Sequence, residues 1–213
     1  TRGNIFFDSF KNLNKDHKKV FNKYIKIKKK LILEKNKFYK KNFRNLKILG
    51  VHFRGTDYKN RERHPLPVSK EQMITIIDNL NKKYKYDKIF LVTEEKEYLN
   101  FLKNRYKNLI HFSDIFTNKK QIFFEKFTKN IRYKIGKENI IDMLLLGSVD
   151  HIAGIESNLI TASKYFSKKK ITFFKIKNGY NSKNIFIASF KWYLKKLLPK
   201  SFGGLDYQIK IIK

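Results

Sequence analysis

The chain has 213 residues, no cysteine and a formal net charge of +31, from 49 Lys and Arg against 18 Asp and Glu. A chain of this length buries roughly 70% of the surface that it exposes when unfolded, so it needs no stabilising disulfide or metal. The absence of thiols excludes disulfide and thiolate chemistry, and the positive charge attracts anions such as nucleic acid, anionic lipid and nucleotide-sugars.

Composition also bears on location and partners. The excess charge is mostly lysine, spread along the chain beside many Asn, Ile, Phe and Tyr residues. This is typical of proteome-wide bias at least as much as of a nucleic-acid-binding patch, so no nucleic-acid partner is expected. No run approaches the ~18 apolar residues of a spanning helix, and no signal peptide opens the chain. These features predict a cytoplasmic protein, and the first residue, Thr1 rather than Met, suggests that an N-terminal domain is missing.

Residues 1–45 carry no strand signal and are expected to form a helical N-terminal segment. From residue 16 to residue 43 the sequence is rich in lysine, and Val20, Tyr24 and Leu31 fit one helical stripe.

The most informative stretch follows the apolar run 46–49, which predicts a buried strand. His52 and Arg54 are two residues apart and point to the same side of an extended chain, and residues 59–64 are too polar to be buried cheaply. The guanidinium of Arg54 matches the geometry of phosphate, and Asp57 is close enough to orient it. A structural Arg54–Asp57 pair, with His52 as a core histidine, is the alternative.

Strand and helix signals then alternate at short spacing. A helix begins after Ser69, with Gln72 as its capping-box partner, and residues 115–136 are expected to be a variable insertion. The further elements are strands at 88–93, 109–113, 149–154 and 171–176, and helices at 95–106, at 138–146 and from 157 onward. The alternation predicts an α/β fold, a Rossmann-like parallel sheet with helices on both faces.

Two later stretches are expected to meet a ligand. Asp142 lies within a strongly apolar helix, where a carboxylate needs a partner or a ligand. Ser157 or Asn158 is the expected N-cap of the helix that follows the fourth strand. A helix that begins at the carboxyl end of a strand is a ready anion site.

The last predicted helix, residues 183–198, interleaves aromatic and apolar residues with lysines. Such a helix can lie on an anionic membrane surface. The pattern favours packing against the sheet or a second domain, with the basic face available for peripheral contact at the inner face of a membrane.

The motif His52-Phe53-Arg54-Gly55-Thr56-Asp57, entered from an Ile-Leu-Gly-Val strand, resembles the first motif of the fucosyltransferase superfamily. That superfamily contains the α1,6- and α1,2-fucosyltransferases and, more distantly, the protein O-fucosyltransferases. Gly55 stands where the α1,6 group has a second arginine. Residues 88–94 and 140–158 resemble later family segments in order and spacing, so the resemblance covers residues 46–177.

The resemblance implies an inverting, metal-independent glycosyltransferase of the GT-B type, of which this chain is the donor-binding half. Residues 1–45 would then be the end of a missing or truncated acceptor domain, 46–180 the nucleotide-sugar-binding domain, and 181–213 a C-terminal amphipathic helix and tail. No cofactor is implied beyond the GDP-sugar donor substrate, and the sequence contains no Asp-x-Asp metal motif.

The resemblance also assigns roles to residues. His52 and Asp142 would contact the nucleotide, Arg54 the diphosphate, and Ser157 and Asn158 the phosphates from the helix start. A fixed cation is what the charge developing on a leaving diphosphate requires.

Glu62 lies five residues after Asp57, where the α1,6 enzymes carry the glutamate regarded as the catalytic base. Inversion needs one carboxylate to take the proton of the acceptor hydroxyl. The alternatives are an exposed Glu62 screened by the arginines on either side and a base at His64.

The function expected is therefore transfer of fucose from GDP-fucose to a glycan hydroxyl, with a nucleotide-sugar donor and a glycan acceptor as partners. Three alternatives stay open: a GT-B enzyme that uses another nucleotide-sugar, a basic nucleic-acid-binding α/β domain, and a remnant that binds nucleotide without turnover because Gly55 has replaced an arginine.

Overall fold

The structure, a computed structural model, describes residues 15–55, 58–116, 129–205 and 209–212. Within these residues the chain forms one sheet of six strands. They are β1 (Ile48–His52), β2 (Lys88–Val92), β3 (Leu109–Ile110), β4 (His151–Gly154), β5 (Thr172–Ile176) and β6 (Ile209–Ile212).

Seven α-helices lie within the same described residues. They are α1 (Lys15–Tyr24), α2 (Lys29–Asn42), α3 (Lys70–Tyr84), α4 (Lys96–Arg105), α5 (Lys129–Leu146), α6 (Asn158–Phe166) and α7 (Ile185–Leu197). A short 3-10 helix, Lys200–Phe202, follows α7. None of these helices has the length and apolar character needed to cross a lipid bilayer.

The order of the strands across the sheet is β3-β2-β1-β4-β5-β6. The first five strands are parallel, and β6 pairs antiparallel with β5. The chain therefore builds the sheet outward from β1 to β3, then crosses to β4 and builds the other side. Ligands of open α/β sheets bind at the carboxyl ends of the strands where the order reverses, which here is between β1 and β4.

The core has two parts, one on each face of the sheet. Leu49 and Val51 of β1 pack with α3 and α4, whereas Ile48 of the same strand packs with α5 and α6 on the opposite face. Neighbouring residues of a strand point to opposite faces, and each apolar side chain buried in this way contributes roughly 1.5–3 kcal/mol. The predicted α/β fold with helices on both faces is thus confirmed.

Local start signals were also correct. Ser69 caps α3: its hydroxyl accepts from the Gln72 amide at 3.1 Å, and the Gln72 side chain accepts from the Ser69 amide at 3.3 Å. This reciprocal pair is the predicted capping box.

Three parts of the chain differ from the prediction. Val20, Tyr24 and Leu31, which were expected to share one helical stripe, lie in or beside two separate helices, because Lys28 is extended and Ile27 packs against the core. The expected insertion 115–136 falls partly outside the described residues, at 117–128, but residues 129–136 are the first turns of α5. The tail contributes β6, which the sequence analysis missed.

Candidate active site

The candidate site lies where β1 and β4 end side by side. In the parallel register His52 is opposite Gly154, so the last residues of both strands are neighbours. A Cβ on Gly154 would lie 2.9 Å from the backbone oxygen of His52, so a side chain would force the strands apart. The close approach brings the start of α6 next to the end of β1.

His52 and Ser157 are in direct contact. The Ser157 hydroxyl lies 3.3 Å from Nδ1 of His52, and it also caps α6 by accepting from the Ile160 amide at 3.2 Å. Burial, together with the positive charge of Arg54, lowers the pKa of His52 to about 3. His52 is therefore a neutral imidazole at physiological pH.

Arg54 lies just beyond β1, and Glu94 holds it. Its Nε is 3.1 Å from Oε1 of Glu94, which follows β2, and its guanidinium carbon is 4.7 Å from the centre of the Tyr58 ring. The predicted partner, Asp57, lies outside the described residues, as does Thr56. The sequence did not predict the contact between Arg54 and Glu94.

Gly55, where the α1,6 group has a second arginine, lies in a space that suits a residue without a side chain. A Cβ at this position would lie 2.5 Å from the hydroxyl of Tyr98. Tyr98 cannot easily move, because it is buried and stacks on Phe53 with ring centroids 3.8 Å apart. The space that an arginine side chain would need is thus filled by a core tyrosine.

Asp142 lies on α5 and is only 2% exposed. Its Oδ2 accepts a hydrogen bond from the Ser113 hydroxyl, and its Oδ1 is buried with no hydrogen-bond partner among the described residues. Burial raises the pKa of this carboxyl to about 8; the Ser113 hydrogen bond opposes the shift and the nearby Glu138 adds to it. A buried acceptor without a donor is costly, so Asp142 is suited to receive a donor from a ligand.

Glu62 and His64 lie in the segment that leaves the site. Glu62 is half-buried in a turn and makes no hydrogen bond or ion pair with the described residues, while the His64 ring lies 4.7 Å from that of Tyr58. Backbone hydrogen bonds join the segment to residues 179–182, including Leu66 N to Gly179 O at 2.9 Å. The loop thus has a defined position over the carboxyl edge of the sheet.

The predicted residues fall into separate groups. His52 and Ser157 touch and Arg54 follows closely, whereas no hydrogen bond joins Asp142 or Glu62 to these residues. Asn158 is exposed as the first residue of α6, so Ser157 is the N-cap. No cluster of three or more His, Cys, Asp or Glu suited to a metal ion occurs in the described part of the chain.

Comparison with known proteins places the fold. No protein-family model and no curated protein matches the sequence. The fucosyltransferase NodZ from Bradyrhizobium matches in structure with a TM-score of 0.56 at 15% identity, covering 77% of this chain and 49% of that one. The chain has a fucosyltransferase-like α/β fold.

Two further structures of the NodZ α1,6-fucosyltransferase agree with this assignment. One, co-crystallised with GDP, matches with a TM-score of 0.53 at 16% identity over 78% of this chain and 50% of that one. The other, soaked with GDP-fucose, matches with a TM-score of 0.52 at 16% identity over 75% and 48%. The chain therefore spans about half the length of these enzymes.

Proposed function

We propose that this chain is the donor-binding part of an inverting, metal-independent glycosyltransferase that transfers fucose from GDP-fucose to a glycan hydroxyl. The observation that carries the proposal is the contact between His52 and the N-cap Ser157, with Arg54 beside it, at the switch point of the sheet. The likeness to NodZ structures obtained with GDP and GDP-fucose supports it.

The proposed mechanism uses fixed charge. Breaking the sugar–phosphate bond builds negative charge on the diphosphate, and preorganised donors stabilise that charge. Arg54, oriented by Glu94, supplies a fork of donors, and the start of α6 supplies backbone N–H groups and the positive end of the helix dipole. Activity should therefore survive EDTA; loss on chelation with recovery on adding Mn²⁺ or Mg²⁺ would contradict metal independence.

The two remaining roles fall to carboxyl groups. Guanine offers N–H donors, and the buried Oδ1 of Asp142 accepts one of them in this proposal. Glu62, in the loop over the carboxyl edge, takes the proton of the acceptor hydroxyl as general base. Neither role requires the two groups to touch each other.

Calorimetry separates this function from its alternatives. GDP should bind with measurable affinity, and UDP and ADP more weakly, because neither base presents the donor pattern of guanine. A chain that prefers UDP or ADP would use another nucleotide-sugar. If the chain binds none of GDP, UDP and ADP but binds a single-stranded oligonucleotide at moderate salt, it is a nucleic-acid-binding domain.

Peripheral contact with an anionic membrane belongs to the same proposal. The inner face of α7 is anchored by Trp192, whose Nε1 donates to the Pro67 oxygen at 2.8 Å. Its outer face presents an exposed stripe of Phe186, Phe190, Tyr193 and Leu197, in which Phe186 is 77% and Leu197 82% exposed. Lysines of α7 flank this stripe, as in helices that lie on anionic lipid.

Vesicle flotation tests the membrane contact. The protein should float with anionic vesicles, and the double substitution Phe186→Ser with Leu197→Ser should abolish flotation. Leu33→Ser on α2 is the matched control, since Leu33 is also 69% exposed but lies elsewhere. Equal loss in the control, or no flotation of the unaltered protein, would contradict the contact.

A further inference from the structure

A second polar cluster lies directly beside the candidate phosphate site. Glu156 follows β4 and precedes the N-cap Ser157, yet it is only 5% exposed. Its carboxylate forms an ion pair with Lys175 of β5 and accepts a hydrogen bond from the Tyr180 hydroxyl. Both carboxylate oxygens thus have donors, which is the condition for burying a charge without a large penalty.

The cluster forms one wall of a cavity of about 220 Å³. Glu156, Lys175 and Tyr180 line it together with Pro65, Lys177 and Lys210. The volume is below the roughly 300–1,000 Å³ of pockets for drug-sized ligands. The cavity therefore suits one small group of a larger ligand.

The charge of this cavity is unbalanced. Lys175 and Lys210 are directly opposite each other in the antiparallel β5–β6 ladder, and like charges in such a pair destabilise a sheet. Among the described residues that line the cavity, Glu156 is the acidic one, against three lysines, and no described carboxylate pairs with Lys177 or Lys210. An anion in the cavity would relieve this repulsion.

The cavity opens at the same edge of the sheet as the donor site. Glu156 is the chain neighbour of Ser157, and Pro65 forms an antiparallel bridge with Tyr180, which connects the cavity to the loop that carries Glu62. In the proposed function, the acceptor reaches the donor sugar from this edge.

We infer that this cavity, the Glu156 cavity, binds an anionic group of the acceptor glycan, a carboxylate or a phosphate carried by a sugar. The inference rests on the proposed function, because it makes the cavity the acceptor side of that site. Lys177 and Lys210 attract the anion, and Glu156 fixes Lys175 and Tyr180 in place.

Amide NMR of the full chain with saturating GDP tests this inference. Glucuronate and glucose 6-phosphate are the two anionic probes and glucose is the neutral one; GDP keeps the phosphate probe out of the donor site. Saturable shifts are expected at residues 177–180 and at Lys210 for one or both acids, and none for glucose. The arm that responds identifies the anion as a carboxylate or a phosphate.

A matched pair of variants completes the test. Lys177→Ala with Lys210→Ala should weaken binding of the acid by about tenfold or more, the value of a charge-assisted hydrogen bond. Lys82→Ala with Lys83→Ala removes the same charge from α3 and should leave it unchanged. Equal binding of glucose, no binding of either acid, or equal loss in both variants would overturn the inference.

The failure of the proposed function gives a different result. If GDP itself does not bind, that function is contradicted, and the same titration without GDP still reports whether the cavity takes a sugar acid. Intact GDP affinity in both lysine variants is expected, because neither pair belongs to the donor site.

Discussion

His52 and Asp142 are both buried, and the proposed function assigns both to the donor, but their polar atoms are satisfied differently. His52 is neutral and has its hydroxyl partner in Ser157. Asp142 has Ser113 at one oxygen and no described partner at the other. If the proposed function is correct, the phosphate end of the donor site, at His52 and Ser157, is preorganised, whereas the nucleobase end, at Asp142, is completed by the ligand.

Glu62 belongs to neither end, and its replacement should have the largest effect. A general base contributes about 10²–10⁴-fold, so Glu62→Gln should lower turnover by that order and leave GDP affinity nearly unchanged. His64→Gln, measured in parallel, should keep most of the activity. If only the His64 variant loses turnover, the base is His64; if neither does, the proton leaves elsewhere.

Arg54 tests the preorganised end. Loss of one donor aimed at developing charge lowers the rate about 10²–10³-fold, so Arg54→Ala should lower steady-state turnover by that factor. Arg54→Lys should lower turnover nearly as much, because an ammonium lacks the planar fork of donors. Arg105→Ala, which removes a more exposed arginine paired with Asp78 on the surface, is the control, and near-normal turnover in Arg54→Ala would make Arg54 structural.

Asp142 tests the incomplete end. Asp142→Asn should weaken GDP binding roughly 10–100-fold, because guanine loses its hydrogen bond to a carboxylate that is ionised in the complex. The melting temperature should not fall, since a neutral amide replaces a carboxyl that is already protonated in the folded protein near neutral pH. A large loss of stability with intact GDP affinity, measured by thermal unfolding and calorimetry, would show that Asp142 only anchors its helix.

The two buried groups should also have opposite effects on stability as pH changes. The pKa of His52 is lowered to about 3, so the unfolded chain binds the extra proton and stability falls as pH drops below about 6.5. The pKa of Asp142 is raised to about 8, so the folded chain holds the extra proton and stability falls as pH rises from about 4 to 8. In Asp142→Asn, the free energy of unfolding should not show this fall between about pH 4 and pH 8, because the titrating carboxyl is gone.

Proton release on GDP binding is a second test of the raised pKa of Asp142. A guanine donor at Oδ1 favours the ionised carboxylate, so GDP binding near pH 7 should release a proton, detectable by calorimetry in buffers of different ionisation enthalpy. Glu138 on the same helix and His111 after β3 also have shifted pKa values, raised by burial for Glu138 and lowered by burial for His111. Release that persists in Asp142→Asn would assign the proton to one of these groups.

The sequence predicted the local features of the fold and of the candidate site. The capping box at Ser69, the N-cap at Ser157 and the burial of Asp142 in an apolar helix depend on residues a few positions apart. The contact of Arg54 with Glu94 could not be predicted from the sequence, because it depends on the β1–β2 register, in which His52 pairs with Val92. Strand β6 was missed for the same reason: its short run of isoleucines forms a strand only by pairing with β5.

The smallest expected effect concerns Ser157. Ser157→Ala removes the N-cap of α6 and should cost about 0.5–2 kcal/mol of unfolding free energy, together with a modest loss of GDP affinity. Asn158→Ala is the matched control, since Asn158 is exposed and its neighbour caps the helix. If the two variants have the same free energy of unfolding in denaturant, Ser157 does not stabilise α6 as its N-cap.

A structure of this chain with bound GDP tests the central claim most directly. The diphosphate should lie within hydrogen-bond distance of Arg54 and of the first amides of α6, and a guanine N–H group should donate to Oδ1 of Asp142. GDP bound away from the carboxyl ends of β1 and β4, or a guanine that leaves Asp142 without a donor, would contradict it.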